Sequence, residues 1–295
     1  KGDKLVFLQQ GFGLSSAISC DEENQLYLVA ADGAGEPKPL LKKNELIPFL
    51  GIKPKKDGTY RETDLEGAAR IDDLVYWIGS HGTNSEGEER MERKVLFATK
   101  ISGSGGETSV SLYGNPCTIL LDALKKIKDP GLDKDSKIAP AKGGLNIESL
   151  CARPDGTLLI GFRSPAIKKR ALLIPLTNPL DVIKKKGTAP ALGAPILLDL
   201  EGRGVRDMAP WGNQFLILGG DYRDLDAGGL PTALYLWSGD AQAEPKRLHI
   251  FDTDGLNPEA IFHQGASPDD FRILSDDGIK NGIASFRSLS VTLSH

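Results

Sequence analysis

Histidine, cysteine and methionine are scarce in this chain, with four His, three Cys and two Met in 295 residues. The histidines (His81, His249, His263 and His295) show no ligand spacing, which argues against a zinc site built from His and Cys. Cys20, Cys117 and Cys151 are too few for a disulfide framework, and buried thiols are expected. No apolar run approaches the ~18 residues of a spanning helix, so no membrane partner is expected. An excess of positive charge is missing too. The 36 Lys and Arg face 40 Asp and Glu, a net −4 that argues against nucleic acid, whose binders present a basic face. With 40% hydrophobic and 26% charged residues, the chain has the composition of a folded globular protein. It begins at Lys1 rather than Met, so a removed leader or tag is expected, and cytoplasm, periplasm and exterior all stay open.

Glycine and proline, by contrast, are plentiful: 34 Gly and 18 Pro. Together they make up roughly 18% against a usual ~12%, the mark of a chain that turns often between short strands. A repeat runs through it. Asp64-Leu-Glu-Gly-Ala-Ala, Asn146-Ile-Glu-Ser-Leu-Cys, Arg206-Asp-Met-Ala-Pro and Asn257-Pro-Glu-Ala-Ile-Phe share a layout, and each precedes a turn and an apolar run. A degenerate copy, Ser15-Ser-Ala-Ile-Ser-Cys followed by Gln25-Leu-Tyr-Leu-Val-Ala, comes first. The acids Glu66, Glu148, Asp207 and Glu259 are spaced 82, 59 and 52 residues apart. The long interval holds a short amphipathic helical insert near 119–140, and removing about 25 residues brings the period near 50, that of a β-propeller.

The expected fold is therefore all-β, one domain over 1–295. Five copies predict a five-bladed propeller, closed by an N-terminal strand (Leu5–Gln10) pairing as the outer edge of the last blade. A sixth blade hidden in 95–140 or 172–200 is the alternative.

In a propeller the inner strands start, and the second strands end, at one face of the disc. That mouth should gather Asp64, Glu66, Asn146, Glu148, Arg206, Asp207, Asn257 and Glu259 from the starts, and Ser80, His81, Arg163, Asp221 and Asp276 from the ends. A ring of Glu66, Glu148, Asp207 and Glu259 is costly unless a cation or protons neutralise it. Calcium or magnesium suits Glu66, Glu148 and Glu259 with Asn146 and Asn257 as amide ligands. The bland reading is that the acids fasten blade to blade. Arg163 and Arg206 either neutralise the ring or clamp an anionic ligand. His81 is either a satisfied structural histidine or a general acid–base.

Gly161-Phe-Arg-Ser-Pro-Ala-Ile, Asp64-Leu-Glu-Gly-Ala with Tyr76-Trp-Ile-Gly-Ser-His, Asn146-Ile-Glu-Ser-Leu and Phe286-Arg-Ser-Leu resemble motifs of a bacterial domain family of unknown function, DUF3616. The resemblance covers residues 15–290 and implies a propeller without an established activity. Ser164 and Ser149 stand where that family usually has Gly. More remotely, the Asp-x-Glu-Gly pattern is similar to esterase-like phytase and calcium-dependent lactonase propellers, where it places metal ligands in the channel. Two functions follow as expectations. One is a monomeric propeller whose acidic mouth binds a divalent metal, a small molecule or an anion, with Asp64, Ser80, Arg206, Asp207, Asp221 and Asp276 touching the ligand. The other is a metal-dependent hydrolase of phosphoester, ester or lactone bonds, in which His81 moves the proton and Arg163 stabilises negative charge.

Overall fold

The structure, a computed structural model, describes residues 16–20, 24–30, 38–42, 44–103, 107–221, 229–251, 256–264, 267–280 and 283–293. The segment Leu5–Gln10, expected to close the ring, lies outside them. The described strands form five antiparallel sheets, each made of consecutive strands. The first holds β1 (Ser16–Cys20), β2 (Leu26–Ala30) and β3 (Lys38–Pro39). The second holds β4 (Leu65–Ile71), β5 (Leu74–Gly79), β6 (Leu96–Ser102) and β7 (Ser109–Cys117). The third holds β8 (Asn146–Ala152), β9 (Leu158–Ile167), β10 (Arg170–Leu176) and β11 (Ile196–Leu198). The fourth holds β12 (Gly204–Trp211), β13 (Gln214–Gly220), β14 (Ala233–Trp237) and β15 (Lys246–Ile250). The fifth holds β16 (Pro258–His263), β17 (Asp270–Lys280) and β18 (Ile283–Thr292).

Each repeat copy is thus the first strand of a sheet, and the apolar run after it is the second. Side chains alternate across a strand, and here both faces are buried. On β5, Val75 and Trp77 point into a core shared with Leu26 of the first sheet, while Tyr76 and Ile78 join a core with Ile147 and Leu150 of the third. On β13, Phe215 and Ile217 pack toward the third sheet, and Leu216 and Leu218 toward the fifth. Each core therefore lies between successive sheets. The strands β4, β8, β12 and β16 neighbour one another in that order, which makes them the inner strands of a β-propeller.

Short α1 (Leu46–Leu50) precedes β4. Residues 119–140 carry α2 (Leu120–Lys125), whose Leu120, Leu121 and Leu124 are buried, and a 3-10 turn, Asp135–Lys137. A third helix, α3 (Pro179–Lys184), joins the same core through Val182 and Ile183. The stretches where a further blade could hide are occupied, 95–140 by β6, β7 and α2, and 172–200 by β10, α3 and β11.

Close approach of neighbouring sheets demands glycine at two points. A Cβ on Gly204 would sit 1.8 Å from the Arg163 carbonyl oxygen, and one on Gly67 2.7 Å from the Leu150 nitrogen. Polar side chains tie the sheets as well. Asn24 Oδ1 accepts from the Thr63 N–H at 2.7 Å, and Trp211 Nε1 donates to Asp269 Oδ1 at 2.8 Å.

Candidate functional site

Four inner strands break register with their second strands at one shared place. The breaks fall between Leu65 and Gly67, Ile147 and Ser149, Val205 and Asp207, and Pro258 and Ala260. Each leaves one extra residue: Glu66, Glu148, Arg206 or Glu259. A bulge bends the strand and re-aims its side chain, so the polar residues at the strand starts are presented by a repeated backbone device. The register also corrects the reading of the fourth copy. The counterpart of the three glutamates is Arg206, not Asp207. One residue of slip moves a side chain to the other face, and Asp207 is spent elsewhere. Its Oδ1 accepts the Met208 N–H at 2.8 Å and its Oδ2 the Ile261 N–H at 2.9 Å, tying sheet four to sheet five.

Two similar triads result. Glu148 Oε1 accepts from Asn146 Nδ2 at 2.9 Å and from an Arg163 terminal nitrogen at 3.2 Å. Glu259 Oε1 accepts from Asn257 Nδ2 at 3.0 Å and pairs with Arg206, which reaches across from the neighbouring sheet. Glu148 is 3% exposed and Arg163 11%, so this pair is shielded from water. Arg163 Nε donates to the Asp221 carbonyl at 2.9 Å, and Asp221 Oδ2 accepts the Leu230 N–H at 2.9 Å. Arg206 crosses Gly220, where a Cβ would lie 2.5 Å from its Nε.

Asp64, in a left-handed conformation (φ 55°), pairs with Arg93 at 3.0 Å, a partner that sequence reasoning missed. Glu66 is half-buried at its bulge. Ser80 is fully buried; its N–H donates to the Asp64 carbonyl and its carbonyl accepts the Ile147 N–H, each at 2.9 Å. His81 is fully buried as well, at φ 56°. Its Nδ1 lies 2.8 Å from the Gly79 carbonyl and so carries the proton. Burial pulls its pKa down to about 4, so the ring is neutral at pH 7 and sealed from any ligand at the mouth. Asp276 belongs to β17, and its side chain lies outside the described residues.

Glu148 and Glu259 each accept an amide N–H and pair with a guanidinium through Oε1, so a cation at these carboxylates would share them with Arg163 and Arg206. Among the described residues no three His, Cys, Asp or Glu side chains gather as a metal site.

A second concavity lies at the other end of the inner strands. Residues 68–70, 150–152, 208–210 and 261–263, two to four places after each bulge residue, line most of an open concavity of about 290 Å³. At ~3.3 Å per residue this is about 7–13 Å from the mouth. The walls include Ala69, Cys151, Ala209 and Phe262, with Arg70 and Arg153 at the ends of β4 and β8. Cys151 is a free thiol whose pKa burial pushes up, as it does for Cys117. His263 Nε2 donates to the Pro210 carbonyl at 2.7 Å, and burial lowers its pKa. Superposing the copies by their glutamates does not mark these positions, since Ala69 and Cys151-Ala152 follow Glu66 and Glu148 but Phe262 and His263 follow Glu259.

The family model of DUF3616, described as a protein of unknown function, matches residues 106–266. The chain belongs to this family. No curated protein matches it in sequence. Among solved structures, the DUF3616 chain is similar to the WD40 β-propeller domain of Doa1, at 12% identity and TM-score 0.34, covering 94% of this chain and 64% of that one. It is also similar to an exo-β-1,3-galactanase from Phanerochaete chrysosporium solved with β-1,3-galactotriose, at 8% identity and TM-score 0.52, covering 100% and 61%. A B. megaterium levansucrase aligns at 10% identity and TM-score 0.44, covering 100% and 83%. The chain thus spans less than two thirds of the first two proteins, and the galactanase likeness is one of fold.

Proposed function

We propose that this propeller is a binding protein whose mouth takes a small polar ligand rich in hydroxyl groups. The carrying observation is the pair of triads, Asn146–Glu148–Arg163 and Asn257–Glu259–Arg206, in which Glu148, Arg206 and Glu259 stand on bulges at the same level of β8, β12 and β16 and Arg163 reaches in from β9. Each sets a carboxylate acceptor beside guanidinium and amide donors, the complement of a hydroxyl, which donates and accepts at once. Because the charges are compensated within each triad, a neutral ligand enters without leaving a buried charge unpaired. Asp64, with its Arg93 partner, adds a third acid–arginine pair on this face.

The ring that carries the mouth is read as five blades. Ala260, Phe262 and Leu274, on the face of sheet five turned away from sheet four, are buried, so something covers that face too. Sheet one is the sheet left to do so, and its neighbour sheet five has three described strands, leaving an edge for the N-terminal strand.

The test is calorimetric titration of the full chain with a panel of monosaccharides and short oligosaccharides. Saturable binding that Arg163→Met and Glu259→Gln each weaken about tenfold or more supports the reading, charged hydrogen bonds being worth ~1.5–3 kcal/mol. Silence across the panel sinks it. Adding excess Ca²⁺ or Mg²⁺ to chelator-treated protein tests the metal reading separately. A melting-temperature rise abolished by Glu66→Gln would support the metal site, and with it a hydrolase without His81 as its proton carrier.

A further inference from the structure

The cavity at the far ends of the inner strands belongs to no part of the mouth. Part of its wall is apolar: Ala69 and Ala209 are methyl groups where a larger side chain would fill the space, beside Met208 and Phe262. The cavity opens to solvent, and its volume of about 290 Å³ lies near the lower bound of small-molecule sites, roughly 300 Å³. The charged lining residues are Arg70 and Arg153. Arg153 is half-buried, with Asp155 3.9 Å away at the exposed turn, a contact too long and too wet to hold its charge firmly. Arg70 is half-buried too, and its Nε donates to the Asp72 carbonyl, fixing the guanidinium at the rim. His263 donates its Nε2–H to Pro210, and burial lowers its pKa, which disfavours a charge there.

We propose that this cavity is a second binding site, for a small organic carboxylate with an apolar body. The body would lie between Ala69, Met208, Ala209 and Phe262, and the carboxylate would meet Arg153 and Arg70. A guanidinium matches a carboxylate in geometry as well as charge. The site is independent of the mouth reading, because no mouth triad residue lines it.

The chain carries its own reporters. It has two methionines: Met208 lines the cavity, and Met91, 62% exposed, lies in the loop before β6. With ¹³C-methyl methionine, benzoate should shift the Met208 signal saturably, through its ring current, and leave Met91 still. Hexanoate should do so more weakly in shift but with the same saturation behaviour. Benzamide, the neutral near-isostere, should bind about tenfold more weakly or worse, as should benzoate to Arg153→Met, for loss of one charged hydrogen bond. Ala152→Leu, at a half-buried wall position, should abolish the shift by filling the space. The proposal is overturned by no saturable Met208 shift up to about 20 mM benzoate. It is equally overturned if benzamide binds as well as benzoate, or if both variants bind unchanged.

Discussion

The two ends of the channel are built from the same four strands, yet they solve opposite problems. At the mouth, bulges present Glu66, Glu148, Arg206 and Glu259 at the strand starts, and Glu148 and Glu259 find partners in Arg163, Arg206, Asn146 and Asn257. Two to four residues further on, the same strands carry Ala69, Ala152 and Ala209, and space is left unfilled. Buried polar groups are costly when stranded, whereas a concavity open to solvent leaves no such group behind. The mouth is therefore where stability should be most sensitive to substitution, and the base where it should be least.

The largest break in that contrast should come from Glu148→Leu. It strands the shielded Arg163 guanidinium, and about 3–5 kcal/mol of stability should disappear in urea unfolding. Gly204→Ala forces a methyl against the Arg163 carbonyl and should destabilise by about 3 kcal/mol, read the same way. The pH dependence of the unfolding midpoint offers a third handle. Unfolded His81 takes up its proton near pH 6.5 and the buried residue only near 4. Between those values the unfolded state binds more protons, so stability present above pH 6.5 should fall as pH drops, by up to about 3 kcal/mol. His81→Asn, which tolerates the left-handed backbone, should flatten that limb of the curve. Asp207→Ala leaves the Ile261 N–H without its acceptor, a loss of about 1–3 kcal/mol between sheets four and five. At the base, Arg153→Met should change stability by no more than about 0.5 kcal/mol. A large effect there, or a small one at Glu148, would reverse the comparison.

Much of this was legible in the chain. The Asx-x-Glu repeats and the apolar runs after them mark the first and second strands, because a strand buried on both faces must read as an almost continuous apolar run. Of the polar residues that interrupt the copies, Asn146 and Glu148 meet Arg163, and Asn257 and Glu259 meet Arg206. What misled was the fourth copy. Asp207 offered an acid near the expected place, but the bulge falls at Arg206, and spacing along a sequence does not reveal which residue a bulge will extrude. His81 misled for another reason. Gly-Ser-His at a strand end looks accessible, while in the fold His81 is fully buried. The base cavity left almost no trace, since a void is a property of what is absent between strands far apart in the chain.

By itself the sequence determined the strand alternation, the turns and the number of repeat copies, all governed by local periodicity and glycine. Tertiary structure decided which charges meet. Glu259 finds Arg206 53 residues away, and Arg163 finds the Asp221 carbonyl across 58, because stacking successive sheets brings distant strand ends to one axis. Charge compensation and empty space both depend on distances between strands, and these exist only once the sheets have packed.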